Sequence, residues 1–250
     1  MVLHKSNKCS LFHKTLTSTD SYKPQGFFTR SVKRLVLGKA CEDTELARPI
    51  LTACTGTQTL VLWMEENPET SEGTALGNII LSGTHRPTRL SLHSSLLLFQ
   101  DRHFEHGLFQ QVTHLDLSWG SVDEWPWEGL CRLQRLTHLS LQIRFRLASD
   151  RTVAVMKECM SMLPRSLECL VLLFAYTGYF YDRWCSRLTE GELGARTAIG
   201  YIGANNPKCT SRHVGFVRSG SCGDLAKDWT YGHETGDYWE IAERLVGNPQ

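Results

Sequence analysis

The chain has no apolar run of eighteen residues, no Cys-x-x-Cys pair, no glycine-rich nucleotide fingerprint and no appreciable excess of either charge. Each absence removes a class of function. A membrane-spanning helix needs about eighteen or more consecutive apolar residues, and the opening MVLHKSNKCSLFHKTL is too polar for the centre of a secretory signal. A soluble intracellular protein, cytoplasmic or nuclear, is therefore expected. Lys and Arg number 27 against 26 Asp and Glu, a net charge of +1, which gives no general attraction to nucleic acid or to an anionic membrane. Neither is expected as a partner.

The cysteines number nine, an odd set. In a reducing compartment they are read as small buried hydrophobes. IGYIGANN carries Gly200 and Gly203 but neither GxGxxG nor GxxxxGK[ST], and reads as a flexible turn. Cys222 in SGSCG has no positioned base in the sequence, and a nucleophile needs one. His103 and His106 lie three apart, but a zinc site needs three or four ligands and no third is in view. Arg144, Arg146 and Arg151 follow one another without the long basic stripe of a nucleic-acid module. No catalytic residue, metal or cofactor is expected.

What the chain does contain is a motif written six times: VKRLVLG, TQTLVLW, PTRLSLH, VTHLDLS, LTHLSLQ and SLECLVLL. The first leucine of each Leu-x-Leu falls at Leu35, Leu60, Leu90, Leu115, Leu139 and Leu170, at intervals of 25, 30, 25, 24 and 31 residues. That period belongs to leucine-rich repeats. In a strand the two leucines of each pair share one face. A strand this short cannot bury that face alone, so the six are expected to stack in parallel, each leucine gaining about 1.5–3 kcal/mol on full burial. Parallel strands need crossovers of a dozen or more residues, and the intervals supply them.

Helical signals fill several crossovers. Leu46, Ile50, Leu51 and Cys54 have helical spacing, with Pro49 expected to shorten or kink the helix. Val122, Trp125, Leu130 and Leu133 mark a less regular one held back by Pro126, and Asp150, Val153, Met156, Met160 and Leu163 a third that Pro164 stops. No helical period is evident in the first thirty residues. After Leu172 the repeats fade into a Gly/Tyr-rich stretch read as an irregular excursion, with a last strand near HVGFV. GDYWEIAERLVGNPQ is a well-marked helix: Asp237 with Glu240 makes a capping box, and Gly247 with Pro249 ends it. It is expected to cap the last repeat. The fold class is therefore α/β, a leucine-rich-repeat solenoid with short parallel strands on the concave side, helices or irregular segments on the convex side and a C-terminal capping helix. Its divisions are 1–30, an N-terminal segment or partial first repeat; 31–175, the repeats; and 176–250, the terminal region and capping helix.

CSLFHKTLTS, FFTRSVKRLVLGK, ILTACTGTQTLVLW, LFQQVTHLDL, LQRLTHLSL and GDYWEIAERLV together resemble fungal, basidiomycete F-box-like proteins with divergent leucine-rich repeats. The resemblance runs nearly end to end. It implies a non-enzymatic protein-interaction module with an unknown protein partner, in the fullest case recognising substrates for a cullin-type ubiquitin ligase. The F-box itself is a helical module that usually opens with Leu-Pro and docks the ligase adaptor. Residues 1–31 contain no such pair, so the docking half is expected to be absent, as in a truncated gene model.

On the concave face, the residues between and beside the leucines are expected to point to solvent. Arg34, Trp63, Arg89, His93, His114, Asp116, His138, Ser140 and Gln142 are the candidate partner-binding residues, with aromatic and Arg side chains as anchors. His114 and His138 should lie side by side. The alternative is a small enzyme whose site lies in residues 174–222, where a long loop would carry the chemistry.

Overall fold

In the computed structural model the described residues are 1–3, 5–18, 23–38, 44–64, 80, 84–93, 96, 103–120, 127–143, 158, 160–175, 196–202, 216–218, 229 and 237–247. They form an α/β structure with two compact units, Met1–Thr113 and His114–Gln250.

In the N-terminal unit the strands are β1 (Val2–Leu3), β2 (Arg34–Leu37), β3 (Thr59–Leu62) and β4 (Arg89–His93). All pair in parallel, in chain order. The register matches the expected ladder: Leu35, Leu60 and Leu90 lie side by side, as do Leu37, Leu62 and Leu92. All six are buried. A second ladder precedes the strands, because Gln58 N donates to Lys33 O (2.8 Å), Thr88 N to Gln58 O (2.9 Å) and Thr113 N to Thr88 O (2.8 Å). The same backbone bond thus recurs three times between Lys33 and Thr113.

Three helices belong to this unit: α1 (Ser6–Thr17), α2 (Phe27–Ser31) and α3 (Thr44–Ala53). The helix α1 lies where no helical period was expected. Its apolar pattern is weak, with Cys9 buried and Leu11 62 % exposed, so its position comes from packing on α3 rather than from its own periodicity. Helix α3 runs through Pro49 instead of stopping there. Proline removes a single backbone bond at this point, while Ala47, Ile50, Leu51 and Cys54 are all fully buried, and that burial outweighs the loss. The turn after α3 needs Gly56, since a Cβ there would collide with the Thr29 carbonyl oxygen. Thr29 Oγ1 also donates to Ala53 O (3.0 Å), fastening α2 to the end of α3.

The C-terminal unit contains β5 (His114–Gly120), β6 (His138–Ile143), β7 (Cys169–Ala175), β8 (Thr197–Ile202) and β9 (Phe216–Arg218), again parallel and in chain order. Leu115, Leu139 and Leu170 form one row and Leu117, Leu141 and Leu172 the next. Strand β8 corrects the reading of the Gly/Tyr-rich stretch after Leu172 as an irregular excursion. TAIGYI pairs with β7 although it has no Leu-x-Leu, and buried Gly200 is a strand residue rather than part of a flexible turn. A strand lacking leucines is recruited because β7 otherwise leaves an unpaired edge. Phe216–Arg218 supplies the expected last strand.

Helix α4 (Trp127–Leu130) begins directly after Pro126. The helix expected from Asp150 to Leu163 lies mostly outside the described residues, of which 158, 160 and 161 are helical. Helix α5 (Tyr238–Gly247) is capped as its sequence implies: Asp237 Oδ1 accepts from the backbone N–H of Trp239 (3.0 Å) and Glu240 (3.1 Å). Cys9 is disulfide-bonded, unlike the buried thiols expected, whereas Cys54 and Cys169 are buried and free. Burial pushes the Cys54 thiol up to about 11. No helix among the described residues is long and apolar enough to cross a membrane.

Leu117→Ala should remove about 2–5 kcal/mol of unfolding free energy by opening a cavity in the leucine ladder. Urea denaturation measures it, and an unchanged midpoint would contradict the register at Leu117.

Candidate functional site

The open strand face expected from the sequence is not what the structure shows. The residues between the leucines, Val36, Val61, Ser91, Asp116, Ser140 and Val171, are all 0 % exposed. Since alternate residues in a strand point to opposite faces, the centres of these strands are buried on both faces. Of the nine candidate residues, Arg34 is exposed and Arg89, Trp63 and His114 are half-buried. His93, Asp116, His138, Ser140 and Gln142 are buried.

In the C-terminal unit the covering element is α5. It packs on β7, β8 and β9, and its Trp239 stands edge-on to the His114 and His138 rings at centroid distances of 5.4 and 5.6 Å. The helix therefore lies across the strand face and does not merely close the last repeat. Helical spacing puts Trp239, Ala242 and Glu243 on the same side. Trp239 and Ala242 are buried, and Trp239 also meets Trp229 (6.3 Å) and Tyr238 (4.5 Å) in an aromatic cluster. That cluster fixes the height at which Glu243 reaches the sheet.

The strand face that bears these two histidines is unusually polar for a buried parallel sheet. His114, Asp116 and Ser118 alternate along β5, and His138, Ser140 and Gln142 along β6, all on one side. Five of the nine candidate residues are thus brought together on two adjacent strands. The His114 and His138 rings stack, 4.2 Å between centroids and 1° from parallel, as the register implies. One step along, Gln142 Nε2 donates to Asp116 Oδ1 (3.3 Å) and Oδ2 (3.2 Å). A buried carboxylate without donors is strongly unfavourable, so this amide is part of what keeps Asp116 tolerable.

His138 is held at both nitrogens. Thr137 Oγ1 lies 2.8 Å from Nδ1, and Glu243 Oε1 lies 2.8 Å from Nε2. The side chain of Glu243 is 50 % exposed while that of His138 is 7 % exposed, so the pair sits at the boundary between core and solvent. Next in the row is Cys169, in register with His138. Its thiol is pushed up to about 12, chiefly by burial and further by the Glu243 carboxylate. It is a protonated core thiol.

Glu243 is the member of this cluster that the sequence did not single out. Its signal was its place in a helix whose packing side was legible, but nothing in the sequence said which strands that side would meet. His103 and His106 belong to no three-donor group among the described residues; His114, His138 and Glu243 do. Trp63 and its neighbours form a separate group on the strand face of the N-terminal unit. Trp63 Nε1 donates to Ser91 Oγ (2.8 Å) across β3 and β4. Cys185, Cys209 and Cys222, on which an enzyme in residues 174–222 would depend, lie outside the described residues. No family model, curated protein or solved structure matches the chain.

Gln142→Met keeps most of the volume but strips Asp116 of its amide donor, and should cost about 1–3 kcal/mol. Gln142→Glu should cost more, because it sets a second carboxylate beside the first. Equal stability of Gln142→Glu and the parent in urea titrations at neutral pH would refute this account of the polar face.

Proposed function

We propose that the chain is a non-enzymatic protein-interaction module of the leucine-rich-repeat kind, in which a repeated strand–crossover unit presents side chains at fixed spacing to a protein partner. The finer form of this reading, from the resemblance to fungal F-box-like proteins, is substrate recognition for a cullin-type ubiquitin ligase. The observation that carries it is the in-register row of Leu-x-Leu strands, which places Arg34, Trp63 and Arg89 on one strand face of the N-terminal unit. A repeat scaffold of this kind is a means of spacing contacts rather than of building a catalytic pocket.

The anchors have the right chemistry. Aromatic and Arg side chains dominate the energetics of protein interfaces. Trp63 is half-buried and oriented by its bond to Ser91, so little side-chain freedom remains to be lost on binding. Arg34 is exposed and Arg89 half-buried. In the C-terminal unit the equivalent face is occupied by α5, which directs the partner reading to Arg34, Trp63 and Arg89.

Combining Trp63→Ala with Arg34→Glu should weaken partner capture by about thirtyfold or more, the effect of losing about 2 kcal/mol at a hot spot, with the melting temperature retained. Partners enriched by the parent from a native lysate and retained equally by the double variant would refute the assignment.

A further inference from the structure

Among the described residues, His114, His138 and Glu243 bring one donor atom each to within 4.8 Å of the others. We propose that these three side chains form a binding site for a divalent transition-metal ion of the zinc class, bridging the β5–β6 strand pair and α5. Two imidazoles and one carboxylate are a donor set suited to zinc or its spectroscopic stand-in cobalt. Calcium and magnesium require predominantly oxygen ligands.

The surroundings meet the demands of such a site. A metal-bound imidazole is ordinarily oriented through its other nitrogen, and Thr137 Oγ1 occupies that position on His138 at 2.8 Å from Nδ1. When the ion takes Nε2, the ring proton resides on Nδ1 and Thr137 Oγ1 accepts it. Glu243 already lies 2.8 Å from Nε2, closer than the roughly 3.4 Å between donors around a tetrahedral ion with bonds of about 2.0–2.1 Å, and its half-exposed side chain is free to open that gap. The stacked rings must turn, because an ion has to lie in the plane of each imidazole and parallel planes share none. His114, half-buried where His138 is buried, is the ring nearer solvent and the one that turns.

The wall around the cluster is incompletely satisfied. Ser140 Oγ and Trp239 Nε1 are buried and have no hydrogen-bond partner among the described residues. Ser140 lies two residues along β6 from His138, on the same face. Three protein ligands leave a fourth position, and the exposure on the Glu243 side lets water or a partner's side chain fill it. Loaded in this way, the ion would replace the direct His138–Glu243 bond by coordinate bonds, beside the packing of Trp239 that already holds α5 on the strands.

The test uses the full chain, stripped with a chelator and titrated with cobalt(II) and zinc(II). The parent should take up one equivalent of cobalt with the intense visible bands of a four-coordinate ion, and zinc should displace it. Glu243→Gln, at a half-exposed position, should weaken binding by at least about tenfold, and Glu243→Gln combined with His114→Gln should abolish the visible bands. Cobalt should also quench part of the tryptophan emission of the parent, and that part should be missing in Trp239→Phe. Absence of stoichiometric uptake by the parent, or the same cobalt affinity in Glu243→Gln, overturns the proposal. Visible spectra dominated by thiolate ligation would do the same, assigning the metal to the cysteines. Should Glu243→Gln lose its fold, as circular dichroism would show, the Trp239-dependent quenching in the parent decides alone.

Discussion

The rest of the structure depends on the parallel pairing of leucine rows, in which each Leu-x-Leu strand is stable only because its neighbour carries the same pair at the same height. A strand of four or five residues has too little apolar area to offset the entropy of fixing its own backbone. Placed in register, Leu35, Leu60 and Leu90 in one unit, and Leu115, Leu139 and Leu170 in the other, share their burial. Register also determines everything on the opposite face, since a slip by one residue would exchange the two faces. The stacking of His114 on His138 and the bond from Gln142 to Asp116 are consequences of where the leucines lie.

That opposite face gives the C-terminal unit its chemical character. A parallel sheet covered on both sides is normally apolar throughout, yet here two histidines, an aspartate, two serines and a glutamine lie on that face. Such groups cost free energy unless paired. The Asp116–Gln142 and His138–Glu243 contacts offset part of that cost, and the aromatic cluster of Trp229, Tyr238 and Trp239 supplies the apolar burial that holds α5 in place. Polar groups kept in a core at this cost, with one end open to solvent at Glu243, are the ground on which a local metal site is proposed. The partner-binding reading draws on the N-terminal unit and the metal reading on the C-terminal one, so each stands without the other.

Much of this was legible in the sequence because it is periodic. The six Leu-x-Leu pairs gave strand positions, parallel direction and register, and Asp237 gave the start of α5 through the one-residue chemistry of capping. Pro126 likewise marked where α4 begins. What failed to show had no local signal. Helix α1 has little amphipathic pattern, β8 carries Gly200 in place of a leucine, and Pro49 overstates the weakness of α3. The burial of Asp116, Ser140 and Gln142 was hidden for a different reason. Polar letters between leucines read as a solvent face, and long-range packing, of which the placement of α5 against His114 and His138 is one part, reverses that reading. The same placement brings Glu243 to His138 across 105 residues of sequence, a juxtaposition that no motif search reaches.

Native-state hydrogen exchange on the full chain, resolved at single amides, tests the ladder most directly. If the rows of β6 and β7 form the core of their unit, the amides of Leu139, Leu141, Leu170 and Leu172 should be among the slowest to exchange, opening only with global unfolding. Exchange of these four at the rate of an unstructured peptide, while other parts of the chain stay protected, would contradict the account.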